Sequence, residues 1–291
     1  MGEINREVLK SSSRLRRKRL GDILSYFGLF FAFFFALSNF VFHLDRLYIR
    51  QVYIEGNRQV EDSRIFDVVK NALIGKYYGI YPRSNVFIYP KDQIIQTLLH
   101  SIPKLASASV VGSINSLLVK VEEREPKFLW CDDVSKPIFD RVCFYLDKDG
   151  FAFDKAPSFS SHVYFEFYGG NKRGGYMGHS ILPVDIMQAI VKVRDVAATL
   201  ITKKDYNLGN IYGVNINKGD DYDLLIGRGA GDWKMNFNLA ATTSASDILR
   251  IEKKLHAVLS SQFFITEQSS ANKKLQYIDL RFGKKVFYKF E

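Results

Sequence analysis

Histidine, cysteine and tryptophan are scarce in this chain, at five, two and two among 291 residues. The histidines, at positions 43, 100, 162, 179 and 256, are scattered, and none falls in H-E-x-x-H or another metal-ligand spacing. Cys131 and Cys143 lie too far apart for a C-x-x-C motif, and no G-x-S-x-G nucleophile elbow occurs. Glycines cluster at Gly227–Gly231 and around Gly169–Gly175, yet neither run carries the Gly-Lys-Ser/Thr of a phosphate loop or leads into a helical pattern. Both fall between strand-like segments and read as tight turns. The acidic pairs Asp132-Asp133 and Asp220-Asp221 are candidate calcium ligands by charge and read more simply as solvated loops. These absences leave no legible nucleophile, acid–base pair, metal set or cofactor site. The expectation is a protein that is not an enzyme.

The basic excess lacks a pattern too. Of the formal charge of +10, the first 22 residues contribute +4 through seven basic and three acidic side chains. The remaining +6 is spread over residues 47–291 with acids interspersed. A nucleic-acid binder shows a basic stripe or a known motif, so no nucleic-acid partner is expected. Long apolar runs are also missing, with one exception. Residues 23–42, ILSYFGLFFAFFFALSNFVF, are twenty positions without a charge. At about 1.5 Å per residue they match the roughly 30 Å hydrocarbon core of a bilayer. Arg14, Arg16, Arg17, Lys18 and Arg19 precede the run, while Arg46 and Arg50 follow it. The positive-inside rule therefore predicts a cytoplasmic basic tail (1–22), a transmembrane helix (23–44) and the bulk of the chain outside the cytoplasm. A cleaved signal peptide is the rival reading, since Ala36-Leu37-Ser38 resembles a cleavage site. The apolar residues continue past it through Leu44, longer than the usual h-region of about 7–15 residues, and favour a retained anchor. Gly28, Ala32 and Ala36 recur every fourth residue, a small-residue stripe on which another membrane helix could pack.

Beyond the anchor, residues 47–124 read as strand, helix, helix, strand, strand. Val52 and Ile54 alternate before the Gly56-Asn57 turn. Ile65, Val68, Val69, Ala72 and Leu73 share a helical face ending at Gly75. A second short helix spans Lys91–His100, and strands at Ala106–Val111 and Ser116–Glu122 close the unit through a turn at Ser113–Asn115. The second segment, 125–291, is β-rich. Strand patterns occur around Trp130, Phe144–Leu146, Val163–Tyr168, Ile211–Asn217, Tyr222–Ile226, Trp233–Leu239, Gln276–Phe282 and Val286–Phe290. Two helices are predicted, Pro183–Leu200 and Ser244–Ser261, and residues 268–274 read as a flexible loop. The fold class is α+β: one anchor, a small β-α-α-β-β domain and a larger β domain. In an oxidising compartment Cys131 and Cys143 could form a disulfide; two half-buried thiols are the other reading.

Several segments are similar to one family when taken in order. Val52-Tyr53-Ile54-Glu55-Gly56-Asn57, Asn85-Val86-Phe87, Leu117-Leu118-Val119-Lys120-Val121-Glu122-Glu123-Arg124-Glu125-Pro126, Phe144-Tyr145-Leu146-Asp147-Lys148-Asp149-Gly150 and Tyr277-Ile278-Asp279-Leu280-Arg281-Phe282 follow a single N-in span. Together they resemble the FtsQ/DivIB cell-division family, in which a polypeptide-transport-associated (POTRA) domain precedes a β domain. Residues 155–240 match only in outline. The resemblance implies a non-enzymatic divisome scaffold in the cytoplasmic (inner) membrane at the division septum. Its β domain would bind FtsB- and FtsL-type proteins, and its POTRA domain would assist recruitment. The alternative is a POTRA-containing envelope assembly or protein-translocation factor.

The final strands are the expected binding site. A strand pair at a sheet edge offers unpaired N–H and C=O groups for strand addition. Tyr277, Asp279, Arg281, Phe282, Val286 and Tyr288 are the candidate partner-binding residues. By the resemblance, Arg281 would meet a carboxylate of the partner and Phe282 would supply an apolar anchor.

Overall fold

The computed structural model describes residues 2–169, 177–202, 208–227, 232–239, 245–270 and 273–291, with side chains from residue 21 onward. Helix α1, Gly2–Phe42, contains the single stretch among the described residues, Gly21–Phe42, that is long and apolar enough to cross a membrane. None of that stretch is buried within the chain. Contacts divide the protein into two compact units. One runs to Ser101 and includes Ser107–Glu123; the other comprises Ile102–Ala106 and Arg124–Glu291.

In the first unit, β1 (Gln51–Glu55) ends at Gly56, whose φ of 96° suits glycine. A Cβ there would lie 2.1 Å from the Val121 carbonyl oxygen, so no other residue fits. The turn beyond it is held by the Glu123 carboxylate, which accepts the backbone N–H groups of Arg58, Gln59 and Val60 at 2.7–3.0 Å. Helix α2 (Asp62–Leu73) buries Ile65, Val69 and Ala72, and α3 (Lys91–Ser101) buries Ile94 and Leu98. Between them a small hairpin pairs β2 (Lys76–Tyr77) with β3 (Tyr81–Pro82). Strands β4 (Leu105–Ser113) and β5 (Ser116–Glu123) turn at Ile114–Asn115, with Asn115 at φ 64°. The sheet order is β1-β5-β4, and β1 runs parallel to β5.

The second unit is built on a nine-stranded sheet of order β14-β13-β12-β11-β10-β9-β6-β7-β8. In chain order these are β6 (Phe128–Cys131), β7 (Cys143–Leu146), β8 (Ala152–Lys155), β9 (Phe165–Gly169), β10 (Asn210–Ile216), β11 (Asp221–Gly227), β12 (Trp233–Asn238), β13 (Leu275–Asp279) and β14 (Phe287–Phe290). Helix α4 (Val184–Ile201) contributes Ile186, Met187, Ile190, Val193 and Ala197 to the main core, and α5 (Ala245–Leu259) contributes Ile251, Leu255, Val258 and Leu259. They share it with Trp130, Phe167, Leu224, Met235, Phe237 and Ile278 of the sheet. Strand alternation places Leu129, Cys131 and Tyr168 in a separate, smaller cluster.

Two expectations need correction. The sequence pattern predicts two helices here; the described residues form three. Helix α6 (Gln262–Ser269) occupies positions partly read as loop, and Phe264 is its buried residue. Phe263, Phe264 and Ile265 are adjacent, so they give no helical period to read. Strand β13 stops at Asp279 instead of Phe282. The Asp279 carboxylate accepts the Arg281 backbone N–H at 3.0 Å, which turns the chain out of the ladder. The glycine-rich positions 170–176 and 228–231 lie outside the described residues, as does Ser244, the predicted start of α5.

Two of the motif segments meet in this unit. Arg124 is ion-paired with Asp147, which is buried, and stacks 4.0 Å from the Phe151 ring centroid. Asp147 also accepts the N–H groups of Asp149 and Phe151, fixing the turn that ends at Gly150.

Candidate partner-binding edge

Strand β14 pairs with β13 on one side, with Tyr277 opposite Lys289, Ile278 opposite Tyr288 and Asp279 opposite Phe287. It ends the sheet order, and among the described residues no strand pairs with its outer edge. The opposite edge differs. Along β8, the Ala152 N–H donates to the His179 carbonyl and the Gly178 N–H to the Ala152 carbonyl, so residues 178–180 cover part of it. Among the described residues β14 is the edge without such cover.

Side chains along β14 alternate. Tyr288 and Phe290 turn inward and meet Phe264 of α6, each with ring centroids 5.3 Å away. Phe287 and Lys289 are exposed. Phe287 is 48 % exposed and Phe282 52 % exposed, yet their rings pack edge-to-face at 5.4 Å. Two aromatic rings thus stand together in solvent at the sheet edge. Val286 is partly buried against the main core. Between α5 and the 283–286 turn lies an open groove of about 560 Å³, bordered by Leu249, Arg250, Lys253, Lys254 and Lys284. The Lys254 ammonium donates to the Leu280 carbonyl at 2.6 Å. Burial, with Arg250 nearby, lowers its pKa.

Arg281 has partners within its own unit. Its Nη2 and Nε bind the Asp279 carboxylate at 2.6–3.2 Å, and Nη1 binds Asp221 Oδ2 at 2.7 Å. The guanidinium is thus committed within the chain, fastening the end of β13 to the start of β11. Burial alone would raise the Asp279 pKa, but the hydrogen bonds and charge of Arg281 outweigh it and hold the carboxyl below its ordinary value. The same Asp279 contact raises the pKa of Arg281. Asp221 and Phe287 were not among the sequence candidates. In the sequence Asp221 is half of an acidic pair, and Phe287 alternates out of step with the candidates Val286 and Tyr288.

The remaining candidates lie apart from this edge. Cys131 and Cys143 are directly opposed on β6 and β7 and form a disulfide. Gly28, Ala32 and Ala36 are exposed on α1. Asp132 binds Lys136, and Asp133 accepts the backbone N–H of Ser135, so neither stands as an open cation site. Among the described residues no cluster could hold a metal ion. One buried polar network lies elsewhere in the sheet: Glu166 accepts from Tyr168 and Arg141, and its other oxygen lies 2.9 Å from His162 Nδ1. Burial and Glu166 raise the Tyr168 pKa, which keeps the phenol protonated. No protein-family model matches the chain, and comparison with curated proteins gives no match.

Proposed function

We propose that the protein is a non-enzymatic scaffold of the bacterial division machinery, of the FtsQ/DivIB type. In this reading α1 anchors it once in the cytoplasmic membrane, and its two units act outside the cytoplasm at the septum. The first unit would be the POTRA domain, a reading supported by its strand–helix–helix–strand–strand order, interrupted by the small β2–β3 hairpin between the helices, and by the turn after Gly56-Asn57 that Glu123 clasps. The second would bind the FtsB- and FtsL-type partners. One observation carries the binding reading: β14 is an open edge flanked by the exposed Phe282–Phe287 pair. A partner strand added there would gain backbone hydrogen bonds, and an apolar side chain beside it would cover the two rings. Lysines 284, 285 and 289 near the edge deter indiscriminate pairing and favour an acidic segment.

Co-purification of the full chain with its FtsB-type partner tests this reading. The double variant Phe282→Ala/Phe287→Ala is expected to lose the partner while melting normally. Undiminished capture would move the site away from this edge.

A further inference from the structure

The first unit carries three exposed apolar tips, each tethered to the end of α1 or to the segment 43–51 that follows it. The first is the hairpin turn between β2 and β3. Its Tyr81 hydroxyl lies 3.1 Å from Ser38 Oγ, and the Tyr81 ring packs edge-to-face on Phe42 at 5.3 Å. Ser38 is four residues, about 6 Å along the axis, inside the apolar stretch that ends at Phe42. Tyr78 stands at the tip of this hairpin, 94 % exposed. It lies three positions before Tyr81, a reach of at most about 10 Å. The second tip is Phe87, 69 % exposed. Its neighbour Val86 donates its N–H to the Leu47 carbonyl at 2.9 Å, and the buried Asn85 donates from Nδ2 to the Phe42 carbonyl at 3.0 Å. The third is Ile114, 75 % exposed. The adjacent Asn115 carbonyl accepts the N–H groups of Arg50 and Gln51 at 3.0 and 3.2 Å.

From this geometry we infer that the first unit rests on the bilayer surface and inserts Tyr78, Phe87 and Ile114 into its interfacial layer. The inference rests on the reading of α1 as a membrane anchor. If α1 spans the bilayer, Tyr81 is held at the depth of its last turn, and the other two tips start from backbone fixed to the residues just beyond it. An aromatic at φ 51°, as Tyr78 is, sits in a region that bulky side chains avoid, and its exposed ring gains no packing in return. Tyrosine at a lipid–water boundary does gain, because the ring enters the apolar layer while the hydroxyl stays wet. Lys76 beside Tyr77, and Arg83 at 5.1 Å from the Tyr77 ring, add positive charge suited to anionic headgroups. The unit would then be held at the membrane by four elements in place of a single tether.

Nitroxide depth measurement tests this on the full chain in vesicles of mixed zwitterionic and anionic phospholipid. Because Cys131 and Cys143 are bonded to each other, an introduced cysteine is the one free thiol for labelling. Labels would be placed singly by Tyr78→Cys, Phe87→Cys and Ile114→Cys. Gln59→Cys, beyond the far end of β1, serves as the aqueous control, and Phe31→Cys marks the membrane interior. The three tips are expected to collide several-fold more with oxygen, relative to a water-soluble nickel chelate, than the label at position 59 does. Tips as nickel-accessible as position 59, with position 31 still in lipid, would overturn the inference and leave the anchor standing. So would tips shielded from both reagents, which would signify protein covering them. A water-like label at position 31 would instead overturn the anchor reading itself.

Discussion

Arg281 and Asp221, sixty positions apart, are joined by a 2.7 Å ion pair that ties the last turn of the chain to the start of β11. The same guanidinium neutralises the buried Asp279. Reversing its charge would leave two carboxylates facing a third. Arg281→Glu is therefore expected to destabilise the second unit by about 2–4 kcal/mol, since breaking a pair strands the buried partner. Thermal denaturation of the full chain in detergent should show the drop, and Arg281→Lys should recover part of it. An unchanged melting curve for the glutamate variant would mean that the guanidinium does not hold this junction.

The outward aromatics should behave in the opposite way. Phe282 and Phe287 touch each other and are half exposed, so replacing both with alanine is expected to alter stability by under about 1 kcal/mol. Partner affinity should fall at least about tenfold, the effect of removing an anchor residue from an interface. Titration calorimetry with a partner peptide separates the two effects, and equal affinity for both forms would exclude the pair from the interface.

Acid sensitivity follows from Asp279. Its carboxyl ionises more readily folded than unfolded, so its contribution is complete above the unfolded value of about 3.9. That contribution is lost as pH falls through the lower, folded value. Asp279→Asn should therefore be less stable near neutrality and show a flatter decline in melting temperature below about pH 4. Asp132, also lowered, with burial opposing and Lys136 and the Val142 N–H prevailing, should leave some acid dependence in the variant. Parallel acid limbs for the two proteins would contradict this assignment.

The Cys131–Cys143 bridge closes a loop with a sequence separation of 12. In the chain-entropy account a loop of that size contributes about 3 kcal/mol. The double variant Cys131→Ala/Cys143→Ala, or the reduced protein, should melt correspondingly lower. A melt insensitive to reductant would show that the unit does not depend on the bridge.

Legibility in the sequence followed local pattern. Helix α2 was readable because Ile65, Val69 and Ala72 recur on one face, and the turn at Ile114–Asn115 because polar residues interrupt two apolar alternations. The order of the large sheet was not readable. Strand β9 lies between β6 and β10 and runs parallel to both, a pairing that depends on long-range packing and leaves no trace in periodicity. Arg281 shows the same limit at the site. The family resemblance implied a carboxylate on a partner for it; the intramolecular contact with Asp221 comes only from the fold. The contact between Phe282 and Phe287 was not readable either, because residues 281–285 turn the chain back on itself.

The scaffold reading is tested most directly by where the protein goes in a dividing cell. The full chain carrying a fluorescent protein at its N-terminus, imaged in its own cells, is predicted to form a band at midcell that persists as the septum constricts. The Phe282→Ala/Phe287→Ala form should fail to hold FtsB-type partners at that band. A uniform envelope signal at every stage of the cycle would contradict a role in division and leave the assembly or translocation reading in its place.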